Sequence, residues 1–288
     1  MTADLSVQVL PDIAEASAPS TIGQSRRIRV GLITTAILLL ATILLFPQWF
    51  ATHEPDTTDL LSTFSPPSTE HFLGTDQLGR DVFSRIVFGA RLSIAIGVLA
   101  TVIGVVGGSL LGSIAVAGGR RIDAAVMRLV DALLAFPELL LALLVVAVVG
   151  GGFLNVAVAI GFAAVPNFAR LVRGQARVVI RSEYVEAAKV LGVPPWRYIP
   201  IHVLPNVGGP VIVLASIGMG SSIIAGAGLS VLGLGPRPPQ ADWGSMIADG
   251  KDYLDSAWWI SVTPGIAVVL LVITVTLMGR SLHSRGTR

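Results

Sequence analysis

The chain has no cysteine and little charge: Asp, Glu, Lys and Arg make up 13% of its 288 residues. Without cysteine there are no disulfides and no thiolate to act as nucleophile or metal ligand. Soluble domains carry about 25% charged residues, so the shortage excludes an ordinary soluble protein. Lysine is nearly absent, with Lys189 and Lys251 alone beside the arginines. Several chemical signatures are missing too. No GxxxxGK[ST] phosphate loop offers a seat for ATP, and there is no HExxH zinc helix or GxSxG nucleophile elbow. The four histidines, His53, His71, His202 and His283, show no metal-ligand spacing.

Hydrophobic residues, 53% of the chain, occur in runs that suit bilayer-crossing helices of about 20 residues. Val30 to Phe46 is uncharged and extends through Trp49 and Phe50, aromatics suited to a membrane interface. Leu92 to Ala117 is uncharged. So is Leu139 to Ala169, which is too long for one ordinary span. Gly150, Gly151 and Gly152 divide it, because successive glycines cost helix propensity. Further spans fit Val207 to Leu229 and Trp258 to Gly279. The expectation is an all-α membrane protein with six transmembrane helices, at about 30–50, 92–117, 132–149, 153–171, 207–229 and 258–279.

Arg and Lys set the orientation of such a chain. With a cytoplasmic N-terminus, fifteen fall inside: Arg26, Arg27, Arg29, Arg120, Arg121, Arg128, Arg170, Arg173, Arg177, Arg181, Lys189, Arg197, Arg280, Arg285 and Arg288. Five, Arg80, Arg85, Arg91, Arg237 and Lys251, fall outside, so both termini are expected in the cytoplasm. Residues 1–27 read as a disordered tail, 28–280 as the membrane domain and 281–288 as a second tail. Ser25-Arg26-Arg27 also fits a twin-arginine leader. A first anchor suits it better, since no small-x-small site precedes the bulky Pro47-Gln48-Trp49-Phe50.

Residues 51–80 read as an irregular outer loop, entering an amphipathic helix of Val82, Phe83, Ile86 and Val87 beside Arg80, Asp81 and Arg85. Such a helix is expected to lie along the interface. In the last outer loop Pro236, Pro238 and Pro239 oppose regular helix. Trp243, Trp258 and Trp259 suit the headgroup level.

The basic segment 177–206 cannot lie in lipid. Ser182 is a candidate N-cap, Glu183 favours the positive helix end, and Tyr184 to Leu191 reads as a short helix. Gly192 can supply a left-handed ending, and Pro194-Pro195 prevent continuation. Trp196 to Ile199 can start a second short helix before Pro200. A hairpin this small cannot bury Val185, Val190, Leu191 and Trp196 by itself, so they need a partner surface, in this chain or another. Nucleic acid fits poorly, since these cations are spread out and belong to no recognisable binding module.

Glu138 is the charge that stands out beside the spans. Intramembrane acids are functional candidates, but Pro137-Glu138 also suits the first turn of a helix. Arg128 and Asp131 are spaced to pair on one helical face. Gly108-x-x-x-Gly112 permits close helix packing.

Within segment 177–206 the order Glu186-Ala187-Ala188, Gly192, then Leu204-Pro205 resembles the EAA signature of bacterial ABC-importer permeases. The string HFLGTDQLGRDVFSRIVFGARLS from His71 resembles the segment before the second span in C-type permeases of peptide and nickel importers. Gly118-Gly-Arg-Arg-Ile-Asp123, Phe136-Pro137, Gly233-Leu-Gly235, Asp242-Trp-Gly244 and Ala248-Asp-Gly-Lys-Asp-Tyr253 match the same family in order. The likeness covers residues 28–280. His202 departs from the pattern, which has Ile there, and Gly226 stands where relatives often carry Glu.

The resemblance implies a type I ABC importer permease fold and a transport subunit, not an enzyme. It implies a coupling role for Glu186, Ala187, Ala188, Lys189 and Gly192. Glu138, as an acid beside a span, is a separate candidate for lining the pathway. The implied partners are a second homologous permease, two ATPase subunits or one fused ATPase, an extracytoplasmic substrate-binding protein and the lipid bilayer. No cofactor is expected in this chain; ATP and Mg would belong to the ATPases. Peptides lead as cargo, with nickel, glutathione and haem-like cargo still open. A membrane enzyme or a passive channel is the competing class, and nearly charge-free spans argue against the enzyme.

Overall fold

The structure, a computed structural model, describes residues 38–286 together with Gly31 and Thr35, and side-chain surroundings as far as Gly279. The expected tail 1–27 and the start of the first span lie outside the described residues. The regular elements are helical. They are α1 (residues 38–45), α2 (Val82–Ala117), α3 (Gly119–Leu134), α4 (Glu138–Val149), α5 (Phe153–Val179) and α6 (Glu183–Val190). There follow α7 (Pro195–Tyr198), α8 (Leu204–Val231), α9 (Trp243–Gly250), α10 (Leu254–Ala257) and α11 (Trp259–Gly286). The last helix therefore runs past position 280, where the membrane domain was expected to end.

Among the described residues, four stretches are long and apolar enough to cross a membrane: α2, α5, the continuous Pro195–Val231, and Trp259–Gly279 within α11. The pair α3 and α4, bent by 92°, makes a fifth if counted as one span. An ordinary span over 132–149 is not what forms. The chain turns at Ala135-Phe136-Pro137, and α4 keeps 12 residues, roughly 18 Å at 1.5 Å per residue. That is short of a hydrocarbon core about 30 Å thick. The division at the glycines is as expected: Gly150 and Gly152 take φ of 89° and 112°, open to glycine and strained for other residues.

Glycine also decides the helix packing. On α2, Gly104, Gly108 and Gly112 recur every fourth residue against α5. A Cβ on Gly108 would lie 2.8 Å from both Ala169 N and Val165 O, and one on Gly112 would lie 2.9 Å from Ala169 O. Lipid tails are as apolar as Leu, so close backbone approach drives helix association where hydrophobicity cannot. Helix α8 crosses α2 the same way, with Gly97 against Ile223 and Gly226 against Ile96. Position 226 is therefore a packing contact. Ile96, Val156, Ile160 and Leu229 fill the core beside these crossings.

The segment leading into α2 differs from what was expected. Residues 82–87 form no separate interfacial helix but the first turns of α2, and Arg80, Asp81, Val82 and Arg85 are all buried. The charges are buried because each is partnered. Arg80 Nε donates to Asp76 Oδ2 at 2.6 Å, Arg85 Nη1 to Asp56 Oδ1 and Pro55 O at 3.0 Å, and Asp81 Oδ2 accepts from Ser84 N at 2.8 Å. Of the three tryptophans of this region, Trp243 and Trp259 are buried inside the protein and Trp258 is exposed. Their indole N–H groups find carbonyls, Trp243 on Ile86 O at 2.8 Å and Trp259 on Thr75 O at 3.1 Å. Asp242 caps α9 by accepting from Ser245 N and also takes Ser93 Oγ of α2 at 2.9 Å. The loop that carries α9 is bolted onto α2.

Candidate coupling loop and membrane cleft

Helix α6 begins after Ser182, which is the N-cap residue by position only: its Oγ donates to Val179 O at 2.6 Å. Glu183 and Glu186 in the first turn face the positive end of the helix, and Lys189 Nζ reaches back to Ile180 O at 2.9 Å. The helix ends in a Schellman motif. Val193 N donates to Ala188 O at 3.0 Å and Gly192 N to Lys189 O at 2.9 Å, with Gly192 at φ 75°. Pro195 then opens α7 at a position where a missing N–H is harmless.

The second short helix, expected over Trp196 to Ile199 before Pro200, does not end there. Residues Ile199–Val203 form a π-helical turn that carries α7 into α8 without a break. Proline removes an N–H and crowds the carbonyl four residues back; the wider turn accommodates both. His202, the departure from the family pattern, lies in this turn with its ring edge-on to Tyr184 at 6.3 Å.

The hairpin has two unlike faces. Val185 and Ala188 are buried with Val172 and Ala176 of α5 and with Tyr198, Ile199, Val203 and Val207. Val190, Leu191 and Trp196 are 87%, 81% and 74% exposed, and Glu186, Ala187, Lys189 and Gly192 are exposed as well. Of the apolar residues expected to need a partner, Val185 finds one inside the chain and the other three do not. Ala187 and Ala188, expected to act alike, differ: Ala187 is exposed and Ala188 is buried.

Three arginines one helical face apart on α5 fasten the adjoining helix α3. Arg173 holds Asp123 through Nε and Nη2 at 2.5 and 2.7 Å, and Arg177 adds Nη2 at 2.6 Å. Arg170 reaches Asp131 at 2.5 Å. Asp131 was expected to pair with Arg128; it pairs instead with Arg170, from a neighbouring helix.

Glu138 is the first residue of α4, after Pro137, and it also lines a cleft of ≈430 Å³ between α5 and α8. Asn167 Nδ2 donates to its Oε2 at 3.5 Å; Phe168, Arg170, Ile217, Ser221 and Ser222 share the lining. Sequence reasoning missed Asn167. A polar side chain inside an apolar run was the available signal.

Two of the four histidines, His53 and His71, come together in space. His53, His71 and Asp81 bring their ligand atoms within 4.8 Å of one another.

A family model described as a binding-protein-dependent transport system inner membrane component matches residues 104–287. The chain is 40% identical over 243 residues to the probable D,D-dipeptide transport system permease protein of Escherichia coli (strain K12), covering 84% of this chain and 82% of that one. It is 38% identical over 248 residues to the glutathione transport system permease protein of Pectobacterium atrosepticum, covering 86% and 82%. A solved structure of the MetNI methionine ABC transporter in inward-facing conformations matches with a TM-score of 0.59 over 71% of this chain and 97% of its own. At 19% identity the likeness is one of fold. Taken with the helical architecture, these matches make the chain a member of the binding-protein-dependent transport system inner membrane component family: a multi-pass permease subunit of an ABC transport system, and not an enzyme.

Proposed function

We propose that the chain forms half of the pathway of a peptide importer, paired with a second permease of its own kind. It spans the membrane six times with both termini in the cytoplasm, as fifteen inner cations against five outer ones favour. The hairpin of α6 and α7 docks on a separate ATPase, which binds ATP and Mg; an extracytoplasmic binding protein delivers the cargo. Dipeptide and glutathione permeases among the relatives favour peptide-like cargo.

One observation carries the docking role. The hairpin is rooted in the chain's own helices by Val185 and Ala188, while Val190, Leu191 and Trp196 stand bare on the other side. A rigid base with an apolar outer edge transmits displacement from a partner into α5 and α8. Glu186 offers that partner a carboxylate, and Ala187 a close approach. In the same reading Glu138 lines the pathway, supported by the cleft it shares with Asn167 and Ser221.

Ala187→Asp tests the docking role, since this residue faces outward and bears no load in the fold. The expected result is a permease that inserts normally, no longer co-purifies with its ATPase and supports no uptake. Unchanged uptake with unchanged co-purification would refute it.

A further inference from the structure

We propose that His53, His71 and Asp81 form a binding site for one borderline divalent cation, with Zn²⁺ as the reference ion, that ties the loop 51–81 to the head of α2. His71 Nδ1 lies 2.9 Å from Asp81 Oδ1 and His53 Nδ1 lies 3.9 Å from the same oxygen. The two imidazoles are 4.7 Å apart between ring centroids. Ligands held at about 2.0–2.2 Å on a tetrahedral Zn²⁺ lie about 3.4 Å from one another. The two His–Asp separations bracket that spacing and all three ligand atoms lie within 4.8 Å of one another, so side-chain rotations can complete the site.

The carboxylate is already aimed. Asp81 Oδ2 is held by Ser84 N at 2.8 Å and Thr52 Oγ1 at 3.3 Å, leaving Oδ1 toward both rings. Such outer contacts fix a ligand's orientation and strengthen metal binding. The Asp81 side chain is 1% exposed and that of His53 is 39% exposed, so the site is closed beneath and open on one side, where water can take a fourth position. The nearby cations do not compete for Asp81: Arg80 is committed to Asp76, and Arg85 to Asp56 and Pro55.

Two imidazoles and one carboxylate suit Zn²⁺ and similar ions. Ca²⁺ and Mg²⁺ want more oxygen ligands than three groups supply. Binding requires both Nδ1 atoms to be free of protons, so the ion replaces the hydrogen between His71 and Asp81, and that proton moves to Nε2 or to solvent. The three ligands come from separate places: the end of the segment after α1, the middle of the outer loop and the cap of α2. One ion therefore fixes all three together.

The test uses the full permease, purified with its partner subunits through a tag without histidine, stripped with a chelator and titrated with Zn²⁺ against a chromophoric competitor. One Zn²⁺ per chain is expected, with affinity at least about 10-fold weaker in His53→Ala, a loss of the size that even outer contacts produce. His53 is partly exposed and outside the core, so this variant keeps the fold; an unchanged melting temperature in the presence of chelator checks that. Wild-type protein that takes up no Zn²⁺ beyond the His53→Ala background overturns the proposal. Displacement of Zn²⁺ by excess Mg²⁺ also counts against it.

Discussion

Val185 and Val190 lie on one eight-residue helix and face apart: Val185 is fully buried and Val190 is 87% exposed. Five residues along an α-helix turn a side chain by about 140°, so one valine roots the helix and the other is offered outward. Substitutions on the two faces should fail for different reasons. Val185→Asp buries an unpaired charge, which costs several kcal/mol, and the protein should fail to accumulate. Leu191→Asp should leave the melting temperature of the purified permease nearly unchanged while abolishing ATPase co-purification. Equal destabilisation by both would place Leu191 in the fold.

The clamp between α3 and α5 should be uneven. Hydrogen bonds to charged groups contribute about 1.5–3 kcal/mol net, and Asp123 receives three from Arg173 and Arg177. Asp131 and Arg170 are both more than half exposed, and such pairs contribute about 0–1 kcal/mol. Asp123→Asn should therefore lower thermal stability clearly more than Asp131→Asn. The reverse order in a thermal melt would show that the clamp lies elsewhere.

Glycine positions on the same helices should separate sharply. Gly108→Val and Gly226→Val force the α2–α5 and α2–α8 crossings apart, and membrane levels should drop. A Cβ at Gly228 meets nothing within 4 Å, and Ala is favoured over Gly in a helix by about 1 kcal/mol. Gly228→Ala should be neutral or stabilising in the same assay.

The left-handed turn at Gly192 gives a graded test. A Cβ there has open space, so the penalty is conformational, about 1–2 kcal/mol for Ala. Gly192→Asn should be milder, since Asn tolerates this region. Protease nicking of the 190–195 turn should rise in the order wild type, Asn, Ala.

Glu138→Gln keeps the size and the contact with Asn167 but removes the charge from the cleft. Uptake should fall several-fold while assembly and ATPase co-purification stay normal. Normal uptake would confine Glu138 to its place in the first turn of α4.

What was legible in the sequence is what short-range chemistry determines. Gly150–Gly152 marked a break, Gly192 and Pro194-Pro195 marked the end of α6, and Gly108-x-x-x-Gly112 marked a close crossing; the structure has all three. Partners distant in the chain could not be read. Asp131 has Arg128 nearby in sequence but Arg170 nearby in space, 39 positions on. Trp243 and Trp259 looked like lipid anchors because their carbonyl partners lie far away in sequence. His53 and His71 met for the same reason. Pro200 misled by the opposite route: the local rule is sound, but a π-helical turn satisfies it without ending the helix.

The absence of native cysteine makes the most direct measurement simple, because one introduced thiol is the only one in the chain. Leu191→Cys on the hairpin and Leu61→Cys in the loop 51–81, both strongly exposed, can each be labelled in assembled transporter with a short maleimide–benzophenone reagent, whose maleimide takes the thiol and whose photoactivated ketone inserts into a C–H bond of whatever protein lies beside it. Docking through the hairpin predicts a product between Leu191→Cys and the ATPase, and none between Leu61→Cys and the ATPase. An ATPase adduct at Leu61→Cys, with none at Leu191→Cys, would contradict both the docking surface and the orientation of the chain.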